Sequence, residues 1–112
     1  MTTALIAGAT GLVGGQILRQ LVGSSTYHRV TVVTRRTVDV PSGPAQIDQF
    51  LIDFSSLSDH ADRLVADHVF CALGTTIRKA GSRERFREVD YGYALTLAQL
   101  TRRNGTTHFS LI

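Results

Sequence analysis

The sequence predicts an α/β fold, with a doubly wound parallel sheet of about five strands that ends after the fifth strand. Short apolar segments alternate with segments of helical periodicity, and the connections between them are short. This order is typical of right-handed βαβ crossovers, which bury a parallel sheet between helices. The chain has 112 residues, of which 43% are hydrophobic and 19% charged, and this composition suits one folded domain. We therefore expect residues 1–112 to form a single domain.

Five apolar segments are predicted to be strands, because they are rich in β-branched residues or are bounded by glycine. They are Thr3–Ala7, Arg29–Thr34, Ile47–Phe54, His68–Leu73 and His108–Ile112.

Three segments have apolar residues at helical spacing. The first begins near Gly11, with Leu12, Ile17, Leu18, Leu21 and Val22 near helical spacing, and stops at Gly23. The second, Ser55–Asp67, has Leu57, Ala61, Leu64 and Val65 on one face, and its Ser56 and Asp59 resemble a capping box. The third, Arg83–Arg103, follows a basic loop, places Phe86, Val89, Tyr93, Leu97 and Leu100 on one face, and ends at Asn104-Gly105.

Composition excludes several classes of protein. The single cysteine, Cys71, cannot form an internal disulfide and is expected to pack within its strand, which suits a cytoplasmic location. The four histidines are dispersed without metal-ligand spacing, so we expect no metal site. The uncharged first 18 residues are interrupted by glycines, and no apolar run approaches the ~20 residues of a membrane helix, so we expect neither a signal peptide nor membrane binding.

A glycine motif, Gly8-Ala9-Thr10-Gly11-Leu12-Val13-Gly14, follows the first predicted strand and opens the first helix. Gly8 would permit a tight turn, Gly11 would allow the backbone to approach a pyrophosphate, and Gly14 would allow close packing of helix and strand. The helix N-terminus would supply N–H groups and a positive dipole end. A glycine-rich turn that only packs is the alternative. The predicted contacts with a dinucleotide come from Gly8, Thr10, Gly11, Leu12, Val13 and Gly14.

The end of the second strand indicates which dinucleotide is preferred. Folds selective for NAD usually place Asp or Glu about 20 residues beyond the glycines. Here Thr34-Arg35-Arg36 occupies that place. A guanidinium binds a ribose 2′-phosphate through charge-assisted hydrogen bonds, each contributing about 1.5–3 kcal/mol. We therefore predict that Arg35 and Arg36 make NADP(H) the preferred cofactor over NAD(H), although two solvated arginines would give the same pattern.

These stretches resemble the atypical short-chain dehydrogenase/reductases, a branch of NAD(P)-binding Rossmann proteins that includes Tat-interacting oxidoreductase-like and NAD-dependent epimerase/dehydratase-like members. Besides the glycine motif and Thr34-Arg35-Arg36, the similarity rests on segments spread in order over the chain: Asp53-Phe54, Cys71 to Thr76, Lys79 to Ser82, Val89-Asp90-Tyr91 and His108-Phe109. The resemblance implies a Rossmann-type sheet and a nucleotide-binding oxidoreductase.

Further roles come from the resemblance. It implies that Asp53, closing the third strand, accepts a hydrogen bond from the adenine amino group, with Phe54 beside the ring; a helix-entry cap is the alternative for Asp53. It implies that the fourth-strand segment Ala72, Leu73 and Gly74 lies along the cofactor's ribose. Asp90 resembles a polar position near the cofactor, or is a rim residue.

No catalytic residue can be assigned. The family uses a Tyr-x-x-x-Lys pair, in which lysine lowers the pKa of tyrosine, but the residues four beyond the three tyrosines are Thr31, Leu95 and Leu97. Arg78 and Lys79 could reach a phosphate or an acidic substrate, or could be solvated. The sequence therefore leaves the catalytic residues unknown.

Three functions fit these residues to different degrees. The first is an NADP(H)-dependent oxidoreductase acting on a small carbonyl or alcohol; the second is a dinucleotide-binding sensor or interaction module without turnover. Nucleic-acid binding is not expected, because the net charge is only +3 despite a pI near 9.6, and the basic residues are scattered. The chain stops inside an apolar strand, so we expect it to be the cofactor-binding half of a longer protein, with a sheet edge that could favour homo-oligomers.

Overall fold

A computed structural model describes residues 2–73 and 92–112. In chain order the elements are β1 (Thr2–Ala7), α1 (Leu12–Gly23), β2 (Tyr27–Thr34), β3 (Gln46–Leu51), a 3₁₀ segment (Phe54–Arg63), β4 (His68–Cys71), α2 (Tyr93–Arg103) and β5 (His108–Leu111).

The described strands form one parallel sheet in the order β3-β2-β1-β4-β5. The chain moves outward from β1 to β3 and then crosses back to β4 on the other side of β1. In the register, Ala7 lies beside Val33 on one neighbour and beside Cys71 on the other. This confirms the doubly wound parallel sheet, and it creates a switch point between β1 and β4, where open α/β sheets bind their ligands.

Two apolar clusters cover the faces of the sheet, as the alternation of side chains along β1 requires. On one face, Ala4 and Ile6 of β1 and Val30 and Val32 of β2 pack in one cluster with the α1 residues Leu18, Leu21 and Val22. Leu5 and Ala7 point to the opposite face, where the core includes residues of the 3₁₀ segment and α2, namely Leu57, Leu97 and Leu100. Cys71 is fully buried in this second cluster, as its predicted packing role requires.

Several predicted boundaries are wrong by a few residues. β1 and β2 begin earlier than predicted, and β4 and β5 end earlier than predicted, at Cys71 and Leu111. The largest difference is in β3, which ends at Leu51, whereas the prediction extended it to Phe54. The apolar residues Ile52 and Phe54 produced this error, because an apolar pattern does not distinguish a strand from the buried turn that follows it.

The predicted helix Ser55–Asp67 is also wrong in type and length. The structure has a 3₁₀ segment over Phe54–Arg63, with non-helical dihedral angles at Ser56 and His60. Short polar side chains that compete for backbone hydrogen bonds disfavour a regular helix in this stretch. The predicted capping box of Ser56 is replaced by a cap from Asp53, and Val65 lies outside the segment and is exposed.

The last helix is confirmed where the structure describes it. Tyr93–Arg103 is helical, with Leu97 and Leu100 buried, and Gly105 turns the chain after it with a φ of 96°. The predicted basic loop Thr75–Ser82 and the first part of the predicted helix, including Phe86 and Val89, lie outside the described residues.

Candidate functional site

The glycine loop has the geometry that its sequence predicts. Gly8 has a φ of 91°, a conformation that side chains other than glycine rarely adopt, and a Cβ there would lie 2.5 Å from the carbonyl oxygen of Ala72. A Cβ on Gly14 would lie 2.0 Å from the carbonyl oxygen of Gly8. The first and third glycines therefore permit three backbone segments, the loop, α1 and the end of β4, to lie in contact.

The middle glycine faces open space. Gly11 is exposed, and the nearest atom to a Cβ built on it would be the Gly8 carbonyl oxygen at 3.7 Å. The neighbouring Leu12 and Val13 are also exposed, by 84% and 54%. The absence of a side chain at Gly11 thus leaves the backbone at the start of the helix accessible, as the predicted approach of a pyrophosphate requires. Leu12 is exposed although its helical spacing is close to that of the apolar positions of α1.

The N-terminus of α1 is suited to an anion. The first turn contains no acidic residue, and the N-cap, Gly11, makes no side-chain cap hydrogen bond. Backbone N–H groups in the first turn of a helix lack intrahelical partners and carry the positive end of the helix dipole. Phosphate oxygens bound next to Gly11 would therefore meet unopposed positive potential.

The two arginines follow β2 at the same edge of the sheet. Ala7 and Val33 are register partners, so Gly8 and Thr34 leave neighbouring strands side by side. Arg35 and Arg36 are exposed, and within residues 2–73 and 92–112 neither guanidinium takes part in an ion pair. They therefore stand one strand away from the glycine loop with charge available for an anionic group.

Asp53 is an N-cap and does not close a strand. Its Oδ1 accepts hydrogen bonds from the backbone N–H of Ser55 (3.0 Å) and from the Ser55 hydroxyl (2.9 Å). The helix-entry alternative is thus observed, at the start of a 3₁₀ segment. The residue is exposed and lies two positions beyond β3, so recognition of adenine by Asp53 stays a prediction.

Phe54 is directed into the core. It is 7% exposed, and its ring stacks on Tyr93 with centroids 6.1 Å apart. The resemblance implies that Phe54 lies beside the adenine; its observed contacts are with the core, and an adenine contact stays a prediction.

The end of β4 approaches the glycine loop from the other side. The Ala72 N–H donates to the Ala7 carbonyl at 2.9 Å, and Leu73 is buried in the core. A ligand beside this segment would therefore meet mainly backbone and the half-buried Ala72. Gly74, the last predicted contact of this segment, lies outside the described residues, as do Arg78, Lys79, Asp90 and Tyr91.

Sequence reasoning missed a cluster at the amino end of the sheet. The Tyr27 hydroxyl lies 2.7 Å from Nδ1 of His68, and the rings of His68 and His108 are 4.8 Å apart. Two of the four histidines, which are dispersed along the sequence, are therefore neighbours in the folded sheet. Only the strand order, in which β4 lies beside β5 with His68 paired to His108, reveals this contact.

Neither a metal cluster nor a membrane-spanning helix is found in residues 2–73 and 92–112. Within these ranges, no group of three or more His, Cys, Asp or Glu side chains could hold a metal ion. No helix there has both the length and the apolar character that crossing a bilayer requires.

Comparison with known proteins identifies the family. The family model described as "NAD dependent epimerase/dehydratase family" matches residues 4–112, nearly the whole chain. The chain belongs to the NAD-dependent epimerase/dehydratase family. This confirms the resemblance from sequence and agrees with the switch-point geometry.

Relatives of this family member include proteins from animals and fungi. It is 34% identical over 112 residues to Protein HTATIP2 of Rattus norvegicus, and 35% identical over 107 residues to "Protein FMP52, mitochondrial" of Candida albicans. These alignments cover 98% and 93% of the chain but 46% and 47% of the relatives. The chain therefore spans about half the length of these proteins.

Solved structures share the fold at low sequence identity. A mutant uronate dehydrogenase from Agrobacterium tumefaciens, complexed with NAD, superposes with a TM-score of 0.77 at 17% identity, over 99% of this chain and 40% of that one. MoeE5 in complex with UDP-glucuronic acid and NAD also gives a TM-score of 0.77, at 19% identity, over 97% and 36% of the two chains. The Rossmann-type architecture of this epimerase/dehydratase-family chain is thus shared with dehydrogenases.

Proposed function

We propose that this chain binds NADP(H) in preference to NAD(H) and forms the cofactor-binding part of an oxidoreductase that acts on a small carbonyl or alcohol. The observation that carries the proposal is the position of Arg35 and Arg36, exposed beside the glycine loop in the place where NAD-selective folds have an acidic residue. An acidic residue would repel a 2′-phosphate, whereas a guanidinium would bind it.

The cofactor would lie across the carboxyl edge of the sheet, over the switch point. Gly11 and the first turn of α1 would hold the pyrophosphate, and Arg35 and Arg36 would hold the 2′-phosphate. Asp53, following β3 on the same side as the arginines, would lie toward the adenine. The segment Ala72–Leu73, across β1, would lie toward the other ribose.

When bound, the nicotinamide would supply or accept the hydride. The chain would contribute binding, orientation and the electrostatic preference for the 2′-phosphate. The sequence contains no Tyr-x-x-x-Lys, and its single lysine is Lys79, so the proton donor for a carbonyl oxygen is not assigned to any residue of the 112.

A double variant tests the cofactor preference. Arg35→Asp together with Arg36→Ala removes the guanidinium pair and introduces a carboxylate where a 2′-phosphate would lie. We expect NADPH affinity to fall by tenfold or more, since one charge-assisted hydrogen bond is worth roughly this factor, while NADH affinity changes little. The measurement is calorimetric titration of both cofactors.

The matched control uses the other described arginine pair, Arg102 and Arg103. Both are exposed at the end of α2, which leads into the amino end of β5, away from the proposed site. Arg102→Asp together with Arg103→Ala changes net charge equally and should leave the NADPH/NADH affinity ratio unaltered. An equal loss in both double variants would attribute the effect to overall charge and contradict the proposal.

A second candidate is a dinucleotide-binding sensor or interaction module, which would bind the same cofactor through the same residues without turning over a substrate. Turnover of an aldehyde or ketone with NADPH by this chain would eliminate this second candidate. A cytoplasmic location also stays a prediction, and the fungal relatives carry the word mitochondrial in their names.

A further inference from the structure

Side-chain hydrogen bonds hold the turn that carries the two arginines, near its start and at its end. It runs from Thr34 to Val38 and is called here the arginine turn. Its exposed residues Arg35, Arg36 and Thr37 leave β2 at the start of a long connection to β3. Long connections are usually mobile, and arginine side chains lose much rotamer freedom when they bind. A backbone already held in place reduces this entropy cost of binding and limits the positions that the guanidinium groups can reach.

The first group that holds the turn is the Thr34 hydroxyl. It donates to the carbonyl oxygen of Arg36 at 2.7 Å and accepts from the N–H of the same residue at 3.3 Å. Thr34 is 3% exposed, and its own carbonyl accepts the N–H of Ile52 at 2.9 Å. The hydroxyl is thus held by the sheet while it binds both backbone groups of Arg36.

The second group that holds the turn is the side-chain amide of Gln49, in the middle of β3. Its Oε1 accepts the N–H of Val38 at 3.0 Å, and its Nε2 donates to the carbonyl of Val38 at 2.8 Å. The amide therefore satisfies both backbone groups of Val38, as a neighbouring strand would. Val38 also packs, partly buried, against the α1 side of the sheet.

We infer that Thr34 and Gln49 are positioning residues for cofactor selectivity, because they hold the arginine turn in the conformation that presents Arg35 and Arg36 to a 2′-phosphate. The inference rests on the proposed function. Neither residue needs to touch the cofactor. Their loss would lower the affinity for ligands that carry the 2′-phosphate and leave the affinity for ligands without it.

The test titrates NADPH, NADH, 2′,5′-ADP and 5′-AMP into the full chain and its variants. Thr34→Val keeps the β-branched shape and removes the hydroxyl; we expect about fivefold weaker binding of NADPH and 2′,5′-ADP, the factor that corresponds to one lost hydrogen bond. Binding of NADH and 5′-AMP should change by less than about twofold on the same scale. Thr34→Ser should restore the preference, because it retains the hydroxyl.

Gln49→Ala should have the same selective effect, and amide hydrogen exchange at Val38 should accelerate as its acceptor is lost. The matched controls are Thr31→Val in the same strand as Thr34, and Gln46→Ala in the same strand as Gln49; neither side chain is hydrogen-bonded in the described structure. Both controls should retain the wild-type ratio of NADPH to NADH affinity.

The outcomes separate this inference from the proposed function. A wild-type chain without preference for NADPH overturns the proposed function and the inference with it. A wild-type preference that survives in Thr34→Val and Gln49→Ala, or an equal loss of all four ligands, overturns the inference alone. Unchanged exchange at Val38 in Gln49→Ala would also overturn it, because the amide would then not hold the turn.

Discussion

Substitution of Gly14 by alanine is a sharp test of the glycine loop. The new Cβ would lie 2.0 Å from the Gly8 carbonyl oxygen and 2.8 Å from its carbonyl carbon. Ordinary carbon–oxygen contacts are about 3.3 Å or longer, so the loop and α1 must separate by about 1.3 Å. The obstacle is backbone on both sides, which cannot rotate away as a side chain would.

The expected cost follows from overpacking, which typically destabilises by about 1–3 kcal/mol. The matched control is Gly23→Ala, at the other end of the same helix, where a Cβ would meet no atom within 4 Å. The loss of glycine should stabilise the chain there by up to about 1 kcal/mol. Because both variants exchange glycine for alanine in one helix, their difference largely isolates the contact with Gly8.

Thermal and urea unfolding followed by circular dichroism measure this difference, and about 1 kcal/mol corresponds to a shift of about 4–8 °C in Tm for a domain of this size class. Displacement of the helix N-terminus should also weaken dinucleotide binding by tenfold or more, whereas Gly23→Ala should bind as wild type does. Equal stability and equal affinity of the two variants would refute the role given to Gly14.

Three further predictions concern stability. The N–H of Thr3 holds the pKa of Asp67 below its usual range, so this carboxylate stabilises the fold above pH ~4, and the contribution is lost as pH falls through the lowered pKa. In urea unfolding, the loss of stability caused by Asp67→Asn should therefore shrink in acid. A loss of stability that does not depend on pH would contradict this. Burial raises the pKa of Tyr27, so above pH ~10 this tyrosine ionises in the unfolded state before it does in the folded state. The wild type should therefore lose stability relative to Tyr27→Phe as pH rises. Parallel profiles of stability against pH for the two proteins would contradict this. Asp53→Ala should cost about 1 kcal/mol through loss of the cap on Ser55, and Asp53→Asn should restore most of it; equal stability of the two variants would refute the capping role.

Patterns along the chain predicted the parts of the fold that depend on local sequence. The glycine motif predicted the turn at Gly8, the open surface at Gly11 and the close contact at Gly14, because each depends on the absence of one Cβ. Alternation of strands and helices predicted the parallel sheet. The family comparison then confirmed the resemblance that these motifs suggested.

Features that depend on non-local geometry could not be predicted. The hydrogen bonds from Gln49 to the arginine turn join residues 11 apart in sequence across a connection without regular structure, and they depend on the pairing of β2 with β3. The proximity of His68 to His108 follows from the pairing of β4 with β5. The 3₁₀ segment was missed because its apolar spacing resembles that of a helix, while its serines and its Asp53 cap favour a tighter turn.

We propose above all that this epimerase/dehydratase-family chain selects its cofactor through the 2′-phosphate. The most direct measurement is the affinity of the unmodified chain for NADPH and for NADH, by calorimetry in one buffer at one ionic strength, because salt screens exposed charges. We expect NADPH to bind at least about tenfold more tightly than NADH. Equal affinities, tighter binding of NADH, or binding of neither cofactor would contradict it.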